Sequence, residues 1–309
     1  MMKLMTKLQA TCALALALAV PAAQAQEGRG DVVYVPTPQI VVDEMLRMAK
    51  VGAKDYLIDL GSGDGRIVIT AAKKLGARGV GVDLDTHLLG VANASAKKEG
   101  VADRARFVEQ NLFETDLSPA TVVTTYLLPE MNQKLRPKLL ALKPGTRVVA
   151  HDYSMGDWDA DQEKTLLVPE KTVGDPGKSY VYLYIVPARV AGRWESQVAL
   201  GGKLVPLNFA FQQNYQYVHG SVRVGEREVR LPQFRLAGER IAFNLAVPAA
   251  SGSPVVHRFD GVVQGDAIDG TVTVGEGAAR RVVPWKAKQT ARGEANMSSS
   301  GAIVTGALQ

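Results

Sequence analysis

The run DYLIDLGSGDGRIVITAAKKLGARGVGVDLD, residues 55–85, sets out a strand, a glycine loop, a helix and a second strand that ends in a carboxylate. Tyr56 to Leu60 is a short apolar strand. Gly61-Ser62-Gly63-Asp64-Gly65 is a tight turn, and Ile67, Val68, Ala71, Ala72 and Leu75 then recur at helical spacing up to the stop at Gly76. Val80, Val82 and Asp83 complete the second strand and its acidic end. Glycine lets the backbone approach a ligand closely, and a carboxylate about 20 residues further on can accept from ribose hydroxyls. The pattern is that of a nucleotide-type cofactor site.

Spacing and charge narrow the cofactor. A dinucleotide site wants Gly-x-Gly-x-x-Gly, and here Arg66 stands where the last glycine belongs. A phosphate-binding P-loop needs Gly-Lys-Ser/Thr after the loop, which is absent from this stretch. The acid before the loop, Asp59, suits a ligand that carries positive charge. S-adenosylmethionine (SAM) has both an ammonium and a sulfonium.

These residues resemble those of the class I SAM-dependent methyltransferases. Within that class the chain is most similar to the mitochondrial protein-lysine methyltransferases of the adenine nucleotide translocase and ATP synthase c-subunit group. The matching stretches are Tyr34-Val35-Pro36, DLGSGDGRIVI from Asp59 to Ile69, Leu128-Pro129-Glu130-Met131, and RVVA from Arg147 to Ala150 with Trp158 beyond. The resemblance covers roughly half the chain. It implies that Asp59 and the loop residues Gly61, Ser62, Gly63, Asp64 and Gly65 face the methionine end of SAM, and that Asp83 holds the ribose. The similar enzymes carry Glu at that ribose position, and Asp where this chain has Asn111, which with Leu112 is the expected adenine contact. The acceptor channel is expected between Tyr34, before the first helix, and Tyr126 to Glu130, after the fourth strand. Tyr126 and Glu130 are the catalytic candidates, Glu130 as a group that attracts a lysine ammonium or takes its proton. An acid there also favours the positive N-terminus of the next helix. The implied acceptor is a protein lysine. Two other classes stay in view: an exported binding protein that keeps the fold without turnover, and an NAD-dependent oxidoreductase.

The rest of the chain gives these residues a context. Lys3 and Lys7 precede an apolar run from Leu8 to Val20, and Ala23-Gln24-Ala25 is a small-x-small cleavage site, so residues 1–25 read as a signal peptide for export to the periplasm or outside. An uncleaved anchor is the alternative. Cys12, the single cysteine, falls inside that leader, which leaves no cysteine for disulfides, thiolate catalysis or zinc in the mature chain. Removing Lys3 and Lys7 takes the net charge from +5 to +3, too mild an excess for a nucleic-acid footprint. His87, His151, His219 and His257 share no metal-ligand spacing.

Residues 26–187 alternate strand-like and helix-like patterns, which predicts a doubly wound, Rossmann-like α/β sheet of the seven-stranded methyltransferase type. Thr37 is placed to cap the first helix and Thr86 to open a later one. Further strands are expected at Ala105 to Glu109, Thr121 to Leu127, Arg147 to His151 and Ser179 to Val186. From 188 to 290 the period changes to two, as in Ile241, Phe243, Leu245 and Val247, and predicts an antiparallel β domain, barrel or sandwich. Residues 291–309 read as a disordered tail.

Overall fold

In the computed structural model, which describes residues 33–200, 203–247, 254–275 and 280–297, the decisive stretch folds as it reads. Tyr56–Leu60 is β1, Arg66–Leu75 is α2 and Arg78–Asp83 is β2; α1, Gln39–Met48, precedes them. Then come α3 (Thr86–Lys98), β3 (Ala105–Glu109), β4 (Val122–Thr125), α4 (Pro129–Leu139), β5 (Arg147–His151), β6 (Gln162–Leu167) and β7 (Lys178–Ile185). The seven strands lie in the order β3-β2-β1-β4-β5-β7-β6, with β7 antiparallel to both its neighbours. Chain direction across the sheet reverses between β1 and β4, so a crevice opens at their carboxyl ends. One apolar cluster packs α1, α2 and α3 on one face, including Val41, Met45, Val68 and Leu89. A second, with Leu117, Leu135, Trp158 and Tyr184, fills the other.

Thr86 opens α3 as expected, while the cap expected of Thr37 works differently. Pro38 rather than Thr37 occupies the N-cap of α1, and the Thr37 hydroxyl instead pairs with His151 Nδ1 at 3.2 Å. Asp85 caps α3, accepting from the amides of His87 and Leu88. β6 has no counterpart in the sequence reading. It is an edge strand whose residues are mostly exposed, so it shows no apolar period.

The second sheet is antiparallel throughout its long strands: β8 (Gly192–Leu200), β9 (Lys203–Asn214), β10 (Tyr217–Val224), β11 (Arg227–Arg235), β12 (Arg240–Val247), β13 (Val255–Gln264), β14 (Ala267–Val274) and β15 (Arg281–Arg292). Their order, β11-β10-β9-β8-β15-β14-β13-β12, is a meander that curls until β15 meets β8. This is a nearly closed barrel rather than a sandwich. Its inside is aromatic: Phe243 and Phe259 stack at 4.9 Å between ring centres, and Trp285 stands edge-on to both.

Residues 291–297 are not the start of a disordered tail. β15 runs to Arg292, the Gly293 amide bonds Ala191 O at 3.0 Å, and β16 (Ala295–Asn296) pairs parallel with β9. Polar composition hid this because the segment is held by backbone bonds, which composition does not report. Residues 1–25 and 298–309 lie outside the described residues. No helix among the described residues is long and apolar enough to cross a membrane.

Candidate active site

At the crevice, a cavity of about 290 Å³ is lined by Tyr34, Asp59, Gly61, Ser62, Asp64, Asp83, Asn111, Leu112 and Tyr126, together with Arg66, Leu127, Met131 and Lys134. The glycine loop is cinched to β2. Gly61 N and Ser62 N both donate to Val82 O, at 2.9 and 3.0 Å. Gly63 N donates to Asp83 Oδ2 at 2.8 Å, and Asp85 N to Asp83 Oδ1 at 3.0 Å. Each Asp83 oxygen therefore has one lone pair committed and can accept again. Gly61, Gly63 and Gly65 all have left-handed φ, of 76°, 50° and 78°. A Cβ on Gly63 would sit 2.4 Å from the Tyr34 ring, and one on Gly65 2.5 Å from Phe107. Gly63 and Gly65 thus shape the loop from behind the cavity surface. Gly63→Ala is expected to displace Tyr34 and weaken SAM binding by at least roughly tenfold, measured by calorimetry, because the strain and clash together exceed about 1–2 kcal/mol.

Asp59, next to last in β1, is almost without exposure, and its side chain's only hydrogen-bond partner among the described residues is Thr124, whose Oγ1 donates to Oδ1 at 2.7 Å. Burial pushes its pKa up to about 7, and the neighbouring charges of Asp83 and Asp64 add to the rise. No cation pairs with it among the described residues. Beside it, the buried Ser62 hydroxyl has no partner. A buried carboxylate facing a cavity, an orphan hydroxyl and a backbone cradle closed to side chains fit the ammonium end of SAM, and Asp83 fits its ribose. A diphosphate would instead face three carboxylates. The residues present fit SAM and not NAD.

Asp64 is occupied differently from the expectation. Arg66 grips it through Nε at 2.9 Å and Nη2 at 2.6 Å, and Arg66 Nη1 reaches Thr37 O at 2.8 Å. Burial would raise the Asp64 carboxyl, but the Arg66 guanidinium outweighs it and holds the pKa below the usual range. Arg66, noticed in the sequence only as a missing glycine, is thus the clamp that ties the 34–37 arm to the loop. Tyr34 is pushed up to about 12, mostly by burial and then by the Asp64 charge. Asn111 spends its Oδ1 on the Phe113 amide at 3.0 Å, a local turn, while still lining the cavity. Lys134 stands over the Phe113 ring at 4.1 Å, a wall that only the folded chain reveals.

On the opposite side, Tyr126 Oη donates to Asp152 Oδ2 at 3.1 Å. Asp152 has a left-handed φ of 61°, accepts from the Tyr180 amide and pairs with Lys171 Nζ at 2.7 Å, both side chains 5% exposed. The His151 ring lies tilted against that of Tyr126, 3.9 Å between centres, and has a hydroxyl on each nitrogen, from Thr37 and Ser179. Burial lowers its pKa to about 4, leaving it neutral at pH 7. Glu130 is not brought into the site. It is exposed in the first turn of α4 and does not line the cavity, where the helix dipole accounts for an acid. Among the described residues no cluster could hold a metal ion.

Residues 59–162 match the family model described as the ANTKMT methyltransferase domain. The chain is 45% identical over 155 residues to a protein-lysine N-methyltransferase of Saccharolobus islandicus, a match spanning 50% of this chain and 92% of that protein. It is 33% identical over 132 residues to the adenine nucleotide translocase lysine N-methyltransferase of Mus musculus, spanning 42% of this chain and 57% of that one. It therefore covers little more than half the length of the mouse relative. A crystal structure of an RNA methyltransferase from Salinibacter ruber with S-adenosyl-L-homocysteine shows 50% identity and a TM-score of 0.45, over 50% of this chain and 96% of that one. With the loop, the buried Asp59 and the relatives in agreement, the chain belongs to the ANTKMT family of SAM-dependent methyltransferases.

Proposed function

We propose that the protein methylates a lysine amine of another protein. The observation that carries this reading is the wall opposite the glycine loop, where the Tyr126 hydroxyl donates a hydrogen bond to Asp152 and so keeps oxygen lone pairs for an incoming N–H. Burial and the Asp152 charge raise the Tyr126 pKa well above the usual range, so the phenol remains a neutral acceptor. Lys171 is neutralised by Asp152 and His151 is uncharged, so neither repels an approaching lysine. The relatives described as lysine N-methyltransferases support the same acceptor class. Bound at Asp59 and Asp83, SAM supplies an electrophilic sulfonium methyl. The chain's own work is to hold the amine against that group and exclude water.

Tyr126→Phe is expected to lower kcat by about 10- to 100-fold while leaving the SAM dissociation constant within about twofold, since one positioning hydrogen bond is lost. Steady-state kinetics and calorimetry together check this. The acceptor class is tested with methyl-labelled SAM and a cell-envelope extract: label should appear in protein and be recovered as methyl-lysine after hydrolysis. Label that disappears with ribonuclease, or that stays in small molecules, rules the lysine reading out.

We also propose that the enzyme is exported, on the strength of Lys3, Lys7, the Leu8 to Val20 run and the Ala23-Gln24-Ala25 site. A mature N-terminus at Gln26, read by mass spectrometry of protein from the producing cell, is the expected result.

A further inference from the structure

The barrel carries a second cavity, of about 410 Å³, at the end where β15 leaves the sheet. Two interruptions in otherwise regular ladders border it. Pairing of β10 with β11 shifts between Val218 and Gly220, and pairing of β15 with β8 shifts between Gln289 and Ala291. Such bulges bend a strand and re-aim its side chains, and they concentrate next to binding sites. The floor is kept bare by glycine: a Cβ on Gly220 would lie 1.9 Å from Ala210 O, and one on Gly192, where φ is 123°, 2.1 Å from Ala291 O.

Around this floor stand Arg193, Arg230 and Arg292. Arg193, Ala210, Ser221 and Arg230 are successive partners across β8, β9, β10 and β11. The two arginines are thus about 14 Å apart at Cα, three inter-strand spacings, and their side chains can meet over Ala210 and Ser221. Among the described residues none of the three guanidiniums has an ion-pair partner, whereas Arg66, Arg136, Arg147, Arg235 and Arg240 each do. Glu294 is the one carboxylate in the lining, and the His219 ring N–H is taken up by Gln212 Oε1 at 2.8 Å. Charge is partitioned in the same sense. Residues 188–297 hold fourteen Arg and Lys against nine Asp and Glu, which accounts for the whole +5 of the chain.

We propose that this cavity binds a phosphate-bearing ligand, a phosphomonoester or diphosphate group. Guanidinium forks match phosphate oxygens two at a time, and Arg193 and Arg230 on one face, with Arg292 lining the same cavity, suit a group with more than one negative charge better than a lone carboxylate. The cavity volume leaves room for more than one phosphate. The group could reach the site on a soluble molecule or at the surface of an anionic bilayer, and its recognition chemistry is the same in both.

The test uses the full mature chain with inorganic pyrophosphate in calorimetry, and with sedimented phosphatidylcholine vesicles with or without phosphatidic acid. Binding to pyrophosphate, to phosphatidate vesicles or to both is expected, weakening with salt. Pyrophosphate alone identifies a soluble source, and vesicles alone a bilayer. Arg193→Gln and Arg230→Gln should each weaken binding roughly tenfold, the loss of one charge-assisted contact. Glu294→Gln should tighten it. Thermal melting and SAM binding of the same variants should be unchanged, which separates a lost site from a misfolded barrel. No binding in either arm, or binding that both arginine substitutions leave intact, overturns the proposal.

Discussion

Asp59→Asn should produce a protein that is more stable than the wild type at pH 8 and that no longer binds SAM. The two effects have one cause, the near-complete burial of an ionisable carboxyl near the end of β1. With its pKa raised from 3.8 to about 7, the folded chain keeps a proton on Asp59 through a range in which the unfolded chain has lost it. Stability therefore falls as pH rises from about 4 to 7, and the full cost, on the order of 4 kcal/mol, is in force above pH 7. Asparagine removes the titration and still accepts from Thr124. The difference in unfolding free energy between variant and wild type should thus grow across this window and level off above it.

The same carboxylate, once a ligand ammonium lies beside it, is favoured in its charged form. Below pH 7 SAM binding should therefore release a proton and weaken by up to about tenfold per pH unit. Calorimetry in buffers of different ionisation enthalpy reads that proton directly. An Asp59→Asn protein that bound SAM as the wild type does would remove Asp59 from the cofactor site.

Tyr215→Ala should cost about 3 kcal/mol of stability, from truncation of a buried aromatic, and should lower kcat far more than SAM affinity. Tyr215 belongs to the barrel but packs in the cluster of the first sheet. Its ring stacks on Trp158 at 6.4 Å, Trp158 packs on Tyr184 at 4.8 Å, and its hydroxyl donates to Asp157 Oδ2 at 3.0 Å. The buried Arg136 of α4 pairs with the same Asp157 and donates to Met155 O at 2.7 Å. Asn132, also on α4, donates to Tyr153 O at 3.0 Å, and the Tyr153 ring stacks on Tyr126. The segment after β5 is thereby clamped between α4 and the barrel, and its near end supports the acceptor wall. Tyr215→Phe, which loses only the bond to Asp157, should cost about 1 kcal/mol. If Tyr215→Ala lowers the melting temperature but leaves kcat unchanged, the barrel contact is purely structural.

Much of this was legible in the chain because the signal was local. The strand, loop and helix from Tyr56 to Leu75 advertise themselves by apolar period and glycine spacing, and Asp59, Asp83 and Tyr126 stand where strands end. What escaped was either polar or non-local. β11 buries only Leu231 outright, so it carries no clean period of two. Thr124, Arg66 and Lys171 matter through partners that are distant in sequence, or through a clamp that forms only once the 34–37 arm has docked. Glu130 misled for the complementary reason: its neighbours in sequence reach the cavity, while the turn of α4 points it to water.

Thr37 touches both halves of the site at once, its carbonyl held by Arg66 at the loop and its hydroxyl by His151 behind Tyr126. Any effect that SAM has on acceptor affinity through this residue must be matched by an equal effect of the acceptor on SAM, since binding free energies are reciprocal. Cofactor that settles the arm would prepay part of the ordering an acceptor needs, and bound acceptor would hold SAM more tightly by the same factor. Thr37 is thus the residue through which the affinities of the two substrates would be linked.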